Sequence, residues 1–585
     1  MKKIINKPET VVPEMCNGLV LTHPELEYLK KYKIIKKRKL NPEKVTVISG
    51  GGSGHEPAHA GFVGHGMLDA AICGDVFASP SQVQVYQGLK ATAGNKGTLM
   101  IIKNYSGDIM NFKNGAAMAA EEGIDVDYVK VEDDIAVNDS LYTVGRRGVA
   151  GTVLVHKVAG AAAEEGKNLQ EVKELAQRAA DSVRTIGFAY SSCTVPASGV
   201  PTFEIKDDEM EYGVGIHGEP GRSREKIASA DETASRMVEQ LIEELALTEE
   251  DEVSVLINGF GATPLQELYI LNYAVSKALS EKKLVIYRSF AGNYMTSIDM
   301  AGASVTIMKM DDILKKYIDS PCTAPGFTVD GPLPQLPVYE PLEAIQKGEI
   351  PKEMTVDDKW RVIAGEHLTL DNITAMVKKM AECIIENEVN FCKLDSYAGD
   401  GDFGMSVAKG FLQVKQEWND LVENKRSNIK EFLLSCAMII MEHCGGASGP
   451  VWGSAFRGAA LTAGEKEQLS LQEFADIMQA AVKGIQTTGE RSFGRGAVVG
   501  DKTLIDALVP CADALSAGAL ENKSIMQTMK SAAEAAKEGA ESTKVIVARM
   551  GRAGTVGERS LGYPDAGAYA LGIIFTEITE YMEYR

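Results

Sequence analysis

A proline-rich segment divides this chain into two parts with different sequence patterns. Residues 321–341 contain six prolines, and proline fixes φ and favours extended backbone, so this segment is poor material for a core. A chain of 585 residues is also too long for one hydrophobic core. The sequence therefore predicts a first domain over residues 1–330, a linker over residues 331–357 and a second domain over residues 358–585.

The first domain shows the alternating pattern of an α/β protein. Helical stretches such as 169–187 separate short runs of β-branched residues, which lie at 44–52, 98–105, 125–131, 252–259, 283–290 and 304–310. Apolar strands that alternate with helices predict largely parallel sheets covered by helices. The runs cluster before about residue 135 and after about residue 250, which predicts two α/β lobes.

The strand pattern largely disappears beyond about residue 358. One helical stripe carries Ile373, Met376, Val377, Met380 and Ile384. Similar helical patterns follow at about 429–443, 469–484, 502–517, 523–538 and 566–583. Apolar residues at this spacing predict that the second domain is an all-α helical bundle.

Composition and charge exclude several classes of protein. The formal net charge of −20 argues against a surface for nucleic acid or anionic membranes. No stretch approaches the roughly 20 apolar residues of a membrane span, and residues 1–15 lack the apolar core of a signal peptide. The nine cysteines include no C-x-x-C pair, which favours reduced, buried thiols. These features predict a cytoplasmic protein.

A glycine-rich acidic loop, LDSYAGDGDFG, marks a candidate site in the second domain. It places Asp395, Asp400 and Asp402 close together after a predicted helix, and their carboxylates repel one another unless a cation neutralises them. Mg²⁺ prefers such oxygen ligands and completes its shell with substrate phosphates. A solvated turn or a Ca²⁺ loop is the alternative, although the bidentate Glu of an EF-hand is missing. The spacing favours a metal–phosphate site.

Further glycine-rich turns punctuate the predicted bundle, at 443–456, 493–503 and 551–567. Glycines at helix N-termini expose N–H groups that can bind phosphate. Each turn taken singly is also compatible with a plain helix connection. No G-x-x-x-x-G-K-[ST] motif occurs, so the turns and the acidic loop together predict a nucleotide site that is not a P-loop.

Two stretches of the first domain combine glycines with reactive side chains. SGGGSGHEPAHAGFVGHG, residues 49–66, follows a predicted strand, and ligands bind at such strand ends in α/β proteins. Its histidines His55, His59 and His65 permit a zinc site, but Pro57 interrupts the H-x-x-x-H spacing.

The second stretch, IKNYSGDIMNF, carries Lys103 and Asp108 at a strand end. These two residues could form a surface salt bridge, or they could grip a polyol and move its protons. A third stretch, YGVGIHGEPGR, surrounds His217 with glycines. His217 taken alone could be a metal ligand or a general base.

Long motifs from both halves of the chain resemble one family. GGGSGHEPAHAGFVGHGMLDAAICGDVFASP, KNYSGD and GIHGEPG, with DSYAGDGDFG, GGASGP, GDKTLIDAL and GERSLGYPDAG, are similar to dihydroxyacetone kinases. Specifically, the chain resembles the single-chain ATP-dependent form, in which a DhaK-like domain is fused to a DhaL-like domain. The resemblance implies a cytoplasmic homodimer in glycerol metabolism that transfers phosphate from ATP to dihydroxyacetone. Kinase activity on glyceraldehyde or erythrulose, formation of cyclic FMN from FAD, and a non-catalytic regulator are the alternatives.

The resemblance also implies roles for residues of the first domain. His217 matches the histidine that binds the substrate carbonyl covalently as a hemiaminal. His55 and Asp108 match the pair that assists proton removal from the attacking hydroxyl. The positions that match substrate contacts are Gly52, Ser53, Gly54, His55, Lys103 and Asp108.

In the second domain the resemblance implies sites for ATP and for two Mg²⁺ ions. Asp395, Asp400 and Asp402 match the metal ligands. The positions that match nucleotide contacts are Ser406, Gly446, Ala447, Ser448, Leu504, Arg552 and Asp565. This chain departs from the family's common acidic loop at Phe403, Met405 and Ser406, beside the expected triphosphate.

Overall fold

The chain forms two compact units, Met1–Leu342 and Glu343–Arg585. The structure is a computed structural model that describes residues 2–137, 145–342, 353–551, 554 and 556–585. Part of the predicted linker, residues 343–352, lies outside the described residues. The units are called unit 1 and unit 2 below.

The first sheet of unit 1 has the strand order β1-β2-β4-β3-β5-β6. Its strands are β1 (Leu26–Leu29), β2 (Ile34–Lys37), β3 (Thr46–Ser53), β4 (Ala70–Val76), β5 (Thr98–Lys103) and β6 (Val126–Val131). Strands β4, β3, β5 and β6 run parallel, as predicted. The continuous apolar run in β5 buries Leu99 and Ile101 on one face and Met100 and Ile102 on the other. The accompanying helices are α1 (Val11–Thr22), α2 (Gln82–Thr92) and α3 (Ser106–Glu121).

The second sheet of unit 1 has the order β11-β10-β12-β7-β8-β9. Its strands are β7 (Val183–Ala189), β8 (Glu209–Tyr212), β9 (Ser223–Lys226), β10 (Glu252–Gly259), β11 (Val285–Gly292) and β12 (Gly302–Lys309). Helices α4 (Thr152–Glu164), α5 (Leu169–Asp181), α6 (Ala230–Leu245), α7 (Leu265–Glu281) and α8 (Asp312–Asp319) belong to this part of the chain, and β13 (Cys322–Ala324) and β14 (Phe327–Val329) form a separate pair.

The prediction of a largely parallel sheet is wrong for this second sheet. Among its described strands only β10 and β11 pair in parallel, and the other pairs are antiparallel. The cause is the connections: residues 293–301 join β11 to β12 without a helix. A parallel return requires a long crossover, so a short loop brings the next strand back antiparallel.

Unit 2 is helical, as predicted. Its helices are α9 (Leu370–Glu386), α10 (Glu388–Asp395), α11 (Phe403–Gln416), α12 (Trp418–Asn424), α13 (Ile429–His443), α14 (Ser448–Ala463), α15 (Leu471–Phe493), α16 (Ile505–Leu520), α17 (Ile525–Ser542) and α18 (Ala566–Tyr581). Two short strand pairs complete it, β15 (Val362–Ile363) with β18 (Glu583–Tyr584) and β16 (His367–Thr369) with β17 (Gln468–Ser470).

Local sequence explains where the helices of unit 2 begin and what they bury. Thr369 and Asn372 form a capping box at the start of α9, and Ser470 and Glu473 form another at the start of α15. The predicted apolar stripe of α9 faces the core, where Trp418 is fully buried. No helix among the described residues has both the length and the apolarity to cross a bilayer. All nine cysteines are free thiols.

Candidate functional site

Two neighbouring parallel strands of unit 1 bring the first predicted site residues together. β3 and β5 pair in parallel, so their carboxyl ends lie at the same edge of the sheet. Lys103 is the last residue of β5, and Asp108 follows in the first turn of α3. Both side chains are buried, with Lys103 Nζ 3.7 Å from Asp108 Oδ2, and Ser79 donates a hydrogen bond to Asp108.

Burial changes the acidity of this pair. It raises the pKa of Asp108, against the effect of Lys103, and it lowers the pKa of Lys103, against the effect of Asp108. The ammonium of Lys103 makes no hydrogen bond within the described protein. Asp108 is therefore a carboxyl with a raised proton affinity, beside a cation with unused donors.

His55 follows β3 and is held in one tautomer. Its Nδ1 lies 2.8 Å from the carbonyl oxygen of Thr296, and because a carbonyl can only accept, Nδ1 carries the proton. Nε2 then has the lone pair, and it is buried without a hydrogen-bond partner. Burial first, and also the positive charge of Lys103, hold the pKa of His55 well below its ordinary value. His55 is a neutral imidazole with an available basic nitrogen.

His217 lies between β8 and β9 of the second sheet, and its ring faces His55. The two ring centroids are 4.8 Å apart and the rings are perpendicular. Tyr105 and Phe77 stand against the same ring, at centroid distances of 4.7 Å and 5.2 Å. Burial, then the positive charges of Lys103 and Arg147, lower the pKa of His217 to about 3. A neutral imidazole keeps a lone pair, which a nucleophile requires.

The glycine-rich end of β3 packs against backbone. A Cβ at Gly52 would lie 2.7 Å from the backbone nitrogen of Ala78, so only glycine fits there. Ser53 donates its hydroxyl proton to the carbonyl of Gly74 at 2.8 Å, and the amide of Gly54 donates to Glu56. The side chain of Ser53 is thus committed to the fold.

The structure does not gather the histidines of residues 49–66 into a metal site. His65 is 66% exposed and lies 3.5 Å from Glu164, whereas His59 is buried with its Nδ1 3.3 Å from the hydroxyl of Ser49. In the described part of the chain, the one group of three potential metal-ligating acidic, histidine or cysteine side chains is the aspartate triad of unit 2. The metal-ligand alternative for His217 has no support from this geometry.

In unit 2 the acidic loop connects α10 to α11. One carboxylate oxygen from each of Asp395, Asp400 and Asp402 lies within 4.8 Å of the others. Asp395 ends α10 and accepts hydrogen bonds from the amides of Gly401, at 2.9 Å, and Phe403, at 3.4 Å. Burial and the two neighbouring carboxylates raise the pKa of Asp395. Three converging carboxylates with mutual repulsion match the donor set that a hard divalent cation requires.

Two of the predicted nucleotide loops meet at the first turn of α11. The amide of Gly445 donates to the carbonyl of Ser406 at 3.2 Å. Gly446 and Ala447 form the turn that follows, and Ser448 begins α14. The N-terminus of α14 therefore lies beside the segment that carries the aspartates, and helix N-termini favour phosphate.

The remaining residues predicted to contact the nucleotide, Leu504 and Asp565, lie at the starts of α16 and α18. A Cβ at Gly567 would lie 3.0 Å from Cβ of Leu504, and Asp565 accepts a hydrogen bond from the amide of Ala568 at 2.8 Å. Burial, then the charge of Asp506, raises the pKa of Asp565 to about 7. Arg552 lies outside the described residues.

Sequence reasoning missed two features around these loops. Tyr397 of the acidic loop stacks on Tyr563 of the late loop, with ring centroids 3.8 Å apart and planes within 5°. Lys502 is buried and donates to three backbone carbonyls, of Thr543 at 2.8 Å, Ser560 at 2.5 Å and Tyr563 at 2.8 Å. Its partners are 41 to 61 residues away along the chain, so no local pattern could have found them.

Family models match both units. A Dak1 domain matches residues 17–326 and a DAK2 domain matches residues 397–580. The fold and the two sites therefore define a protein with a Dak1 α/β domain followed by a DAK2 helical domain.

Relatives and a solved structure match the same arrangement. The dihydroxyacetone-binding subunit DhaK of the PTS-dependent dihydroxyacetone kinase 1 of Listeria innocua is 50% identical over 54% of this chain and 97% of its own length. The triokinase/FMN cyclase of Rattus norvegicus is 34% identical over 100% of this chain and 99% of its own. The dihydroxyacetone kinase from C. freundii, in complex with AMP-PNP and Mg²⁺, is 29% identical over 99% of both chains with a TM-score of 0.61. This chain belongs to the single-chain dihydroxyacetone kinase family.

Proposed function

We propose that this protein transfers the γ-phosphoryl group of ATP to a terminal hydroxyl of dihydroxyacetone. The observation that carries the proposal is the partly buried, neutral ring of His217, which lies perpendicular to His55 and feels the charge of Lys103, the partner of Asp108. A neutral imidazole without an adjacent metal is suited to attack a carbonyl carbon. The relatives named for dihydroxyacetone and triose kinases support this substrate class.

The proposed covalent step is an addition of the His217 imidazole to the ketone carbonyl. The unprotonated ring nitrogen of His217 forms a bond to the ketone carbon, and the carbonyl π pair moves to oxygen. The other ring nitrogen gives up its proton while the oxygen takes one up, so the product is a neutral hemiaminal. Reversal of the same step releases the product. Holding the ketose this way orients its terminal hydroxyl, and orientation can supply roughly 7–11 kcal/mol of the barrier. Glycerol has no carbonyl and is excluded.

The terminal hydroxyl then needs a base. His55 presents the unprotonated Nε2, because its Nδ1 is bound to Thr296, and Asp108 presents a carboxyl with raised pKa. Lys103 retains ammonium donors for a substrate oxygen.

In unit 2, Asp395, Asp400 and Asp402 would hold Mg²⁺, and the loops at Ser406, Gly446–Ser448, Leu504 and Asp565 would surround ATP. Bound Mg²⁺ would neutralise charge on the phosphates during transfer. Among the chain's own groups, the amides of Gly401 and Phe403 orient Asp395, and the N-terminus of α14 offers amide donors.

ADP release with Mg-ATP, measured across dihydroxyacetone, glyceraldehyde, erythrulose and glycerol, tests the proposal. We expect turnover with dihydroxyacetone and none with glycerol. Faster turnover of erythrulose or glyceraldehyde would mean that the preferred substrate is a different member of the same class of short sugars. Absence of ketose-dependent ADP release would refute the function.

Two variants separate the two halves of the reaction. In wild-type protein the adduct should remove the carbonyl carbon-13 resonance of a carbonyl-labelled ketose. We expect His217→Ala to form no adduct and to leave that resonance unchanged. Asp400→Ala should abolish turnover and leave that adduct intact, with the exposed Asp420→Ala of α12 as its control. Adduct formation by His217→Ala would show that His217 is not the residue that binds the ketose covalently.

A second candidate activity is the formation of cyclic FMN from FAD, favoured by the full-length rat relative whose name includes FMN cyclase. It would use unit 2 and its metal site and would not need His217. Incubation of wild type and His217→Ala with FAD and a divalent cation, followed by chromatography of the flavins, tests it. Equal cyclic FMN from both proteins is the expected result.

We also propose that the chain forms a homodimer. Light scattering of the purified protein tests this oligomeric state.

A further inference from the structure

Asp134, Arg147 and Glu219 form a row of charged groups that contacts the loop carrying His217, with Asp134 and Arg147 buried and Glu219 partly buried. Arg147 is 3% exposed and uses each nitrogen of its guanidinium. Nε donates to Asp134 Oδ2 at 2.6 Å, Nη1 to Glu219 Oε1 at 2.8 Å and Nη2 to the carbonyl of Gly213 at 3.1 Å. Asp134 is itself fixed by the amide of Ala136 at 2.9 Å. The guanidinium is thus held in one orientation.

Glu219 connects this row to the backbone of the nucleophile. Its second oxygen, Oε2, accepts a hydrogen bond from the amide of His217 at 2.8 Å. One carboxylate therefore binds Arg147 with one oxygen and the main chain of His217 with the other. Charged hydrogen bonds of this kind are stronger and more directional than neutral ones.

The sequence of the loop is built around this contact. A Cβ at Gly215 would lie 1.9 Å from Glu219 Oε1 and 2.6 Å from Arg147 Nη1. Any side chain at residue 215 would displace the ion pair, so the glycine two residues before His217 makes room for it. In the sequence Gly-x-His-x-Glu of this loop, the glycine leaves space for the glutamate that binds the histidine amide.

We propose that Glu219 and Arg147 are positioning residues that fix the backbone of His217 so that its imidazole meets the ketose carbonyl. The inference rests on the proposed function, because it assigns these residues through His217. Addition to a carbonyl requires reacting atoms aligned at near-contact distance, and a small misplacement is costly. Neither residue forms or breaks a bond in the reaction.

Strand β8, which precedes this loop, contains a matched control. Glu211 is also buried, accepts from the amide of Gly221 at 2.9 Å, and binds an arginine, with Arg224 Nε at 2.6 Å. It anchors the far end of the loop, at Gly221 and Arg224, four or more residues after His217. Glu211→Gln therefore removes the same chemistry at a place where only the stability of the loop depends on it.

The test compares Glu219→Gln, Arg147→Lys and Glu211→Gln by thermal unfolding, ketose KM, kcat and carbon-13 NMR titration of the labelled ketose. Loss of one charged hydrogen bond corresponds to about a 10- to 100-fold weaker interaction. We expect Glu219→Gln and Arg147→Lys each to weaken adduct formation and raise KM by about that factor, with kcat within about threefold. The double variant should add little, because both residues act on His217 as one unit. Glu211→Gln should leave KM within about threefold.

Equal effects of Glu219→Gln and Glu211→Gln, or wild-type adduct formation in Glu219→Gln, would overturn the inference. Arg147→Lys keeps the buried charge and tests the same contact if Glu219→Gln does not fold. Failure of the proposed function is seen separately, because wild-type protein would then show no adduct before any variant is made.

Discussion

Each unit of this protein contains a buried lysine beside its candidate site, and the two lysines are used in opposite ways. Lys502 in unit 2 donates to three carbonyls from separate segments. Lys103 in unit 1 makes no hydrogen bond within the described protein and has Asp108 at 3.7 Å. An ammonium has three donors, so Lys502 is saturated and Lys103 is not.

The difference separates a structural role from a binding role. A buried cation without hydrogen bonds costs stability unless a ligand or partner repays it. Lys103 is such a cation, at the end of β5 and beside His55 and His217. A ketose oxygen bound there would accept a hydrogen bond from its ammonium group. Lys502 instead ties together the segments that carry the late nucleotide loop. Substitution of each lysine by methionine should therefore have opposite consequences for activity and stability.

The largest expected effect is the loss of activity in Lys103→Met. Removing an unused buried donor at the proposed reacting centre should lower kcat/KM for the ketose by about 100- to 1,000-fold. The stability of unit 1 should hold, because no hydrogen bond is lost and Asp108 can take up a proton. Hydrogen exchange of unit 1 peptides measures that stability.

The matched control is Lys157→Met in α4. Lys157 is buried in the same unit, but its Nζ donates to the carbonyl of Tyr317 at 2.5 Å. We expect this variant to destabilise unit 1 and leave kcat/KM within about threefold. The reverse pattern in the two variants would contradict the assignment of Lys103.

The next effect is a loss of stability in Lys502→Met. Three buried carbonyls would lose a charged donor, and we expect unit 2 to lose about 3 kcal/mol or more. The three tryptophans, Trp360, Trp418 and Trp452, all lie in unit 2, so denaturation followed by tryptophan fluorescence reports this unit. Adduct formation at His217 should be unchanged. An unchanged fluorescence transition would show that Lys502 is not a structural tie.

A smaller effect concerns pH and a histidine outside the site. His156 in α4 is buried, neither ring nitrogen has a hydrogen-bond partner, and burial lowers its pKa to about 3. Between that value and about 6.5 the unfolded chain binds a proton that the folded chain does not, so stability falls as pH falls. His156→Leu should reduce this slope by up to about 1.4 kcal/mol per pH unit, as measured by hydrogen exchange of unit 1 at pH 6 and pH 4.5 (roughly the middle of the window). The exposed His367→Leu in unit 2 is the control.

The smallest effect is expected at the stacked pair Tyr397 and Tyr563. Both side chains are about 40% exposed, and an aromatic pair contributes about 1 kcal/mol beyond its buried area. A double-mutant cycle with Tyr397→Ala and Tyr563→Ala should give a coupling of that size in the fluorescence transition of unit 2. Additive effects would mean that the stack does not join the two loops.

Periodicity predicted the elements that are long and locally determined. The helix predicted at 429–443 is observed as α13 with the same bounds, and the strand runs at 98–105 and 252–259 correspond to β5 and β10. The composition of residues 169–187 predicts a helix throughout, but only Leu169–Asp181 forms a helix and Val183–Ala189 forms β7. β7 is stabilised by pairing with β12, which no local pattern encodes.

The candidate site divides in the same way. The aspartate triad lies within one loop, so its spacing alone predicted the carboxylate cluster that the structure shows. The grouping of His55, Lys103, Asp108 and His217 came from the family resemblance, since these residues span both sheets. Arg147 and Glu219 are 72 residues apart along the chain. Local sequence patterns therefore could not predict their contact.

The hydrogen bond from His55 to Thr296 has a consequence for how the chain is made. The ring and its carbonyl partner are 241 residues apart, and Thr296 follows β11 in the second sheet. A nascent chain has therefore exposed the glycine-rich end of β3 long before the ribosome adds the carbonyl that sets the tautomer of His55. The basic nitrogen acquires its fixed direction only when the second sheet has been synthesised and packed. Its orientation is a late event in biosynthesis.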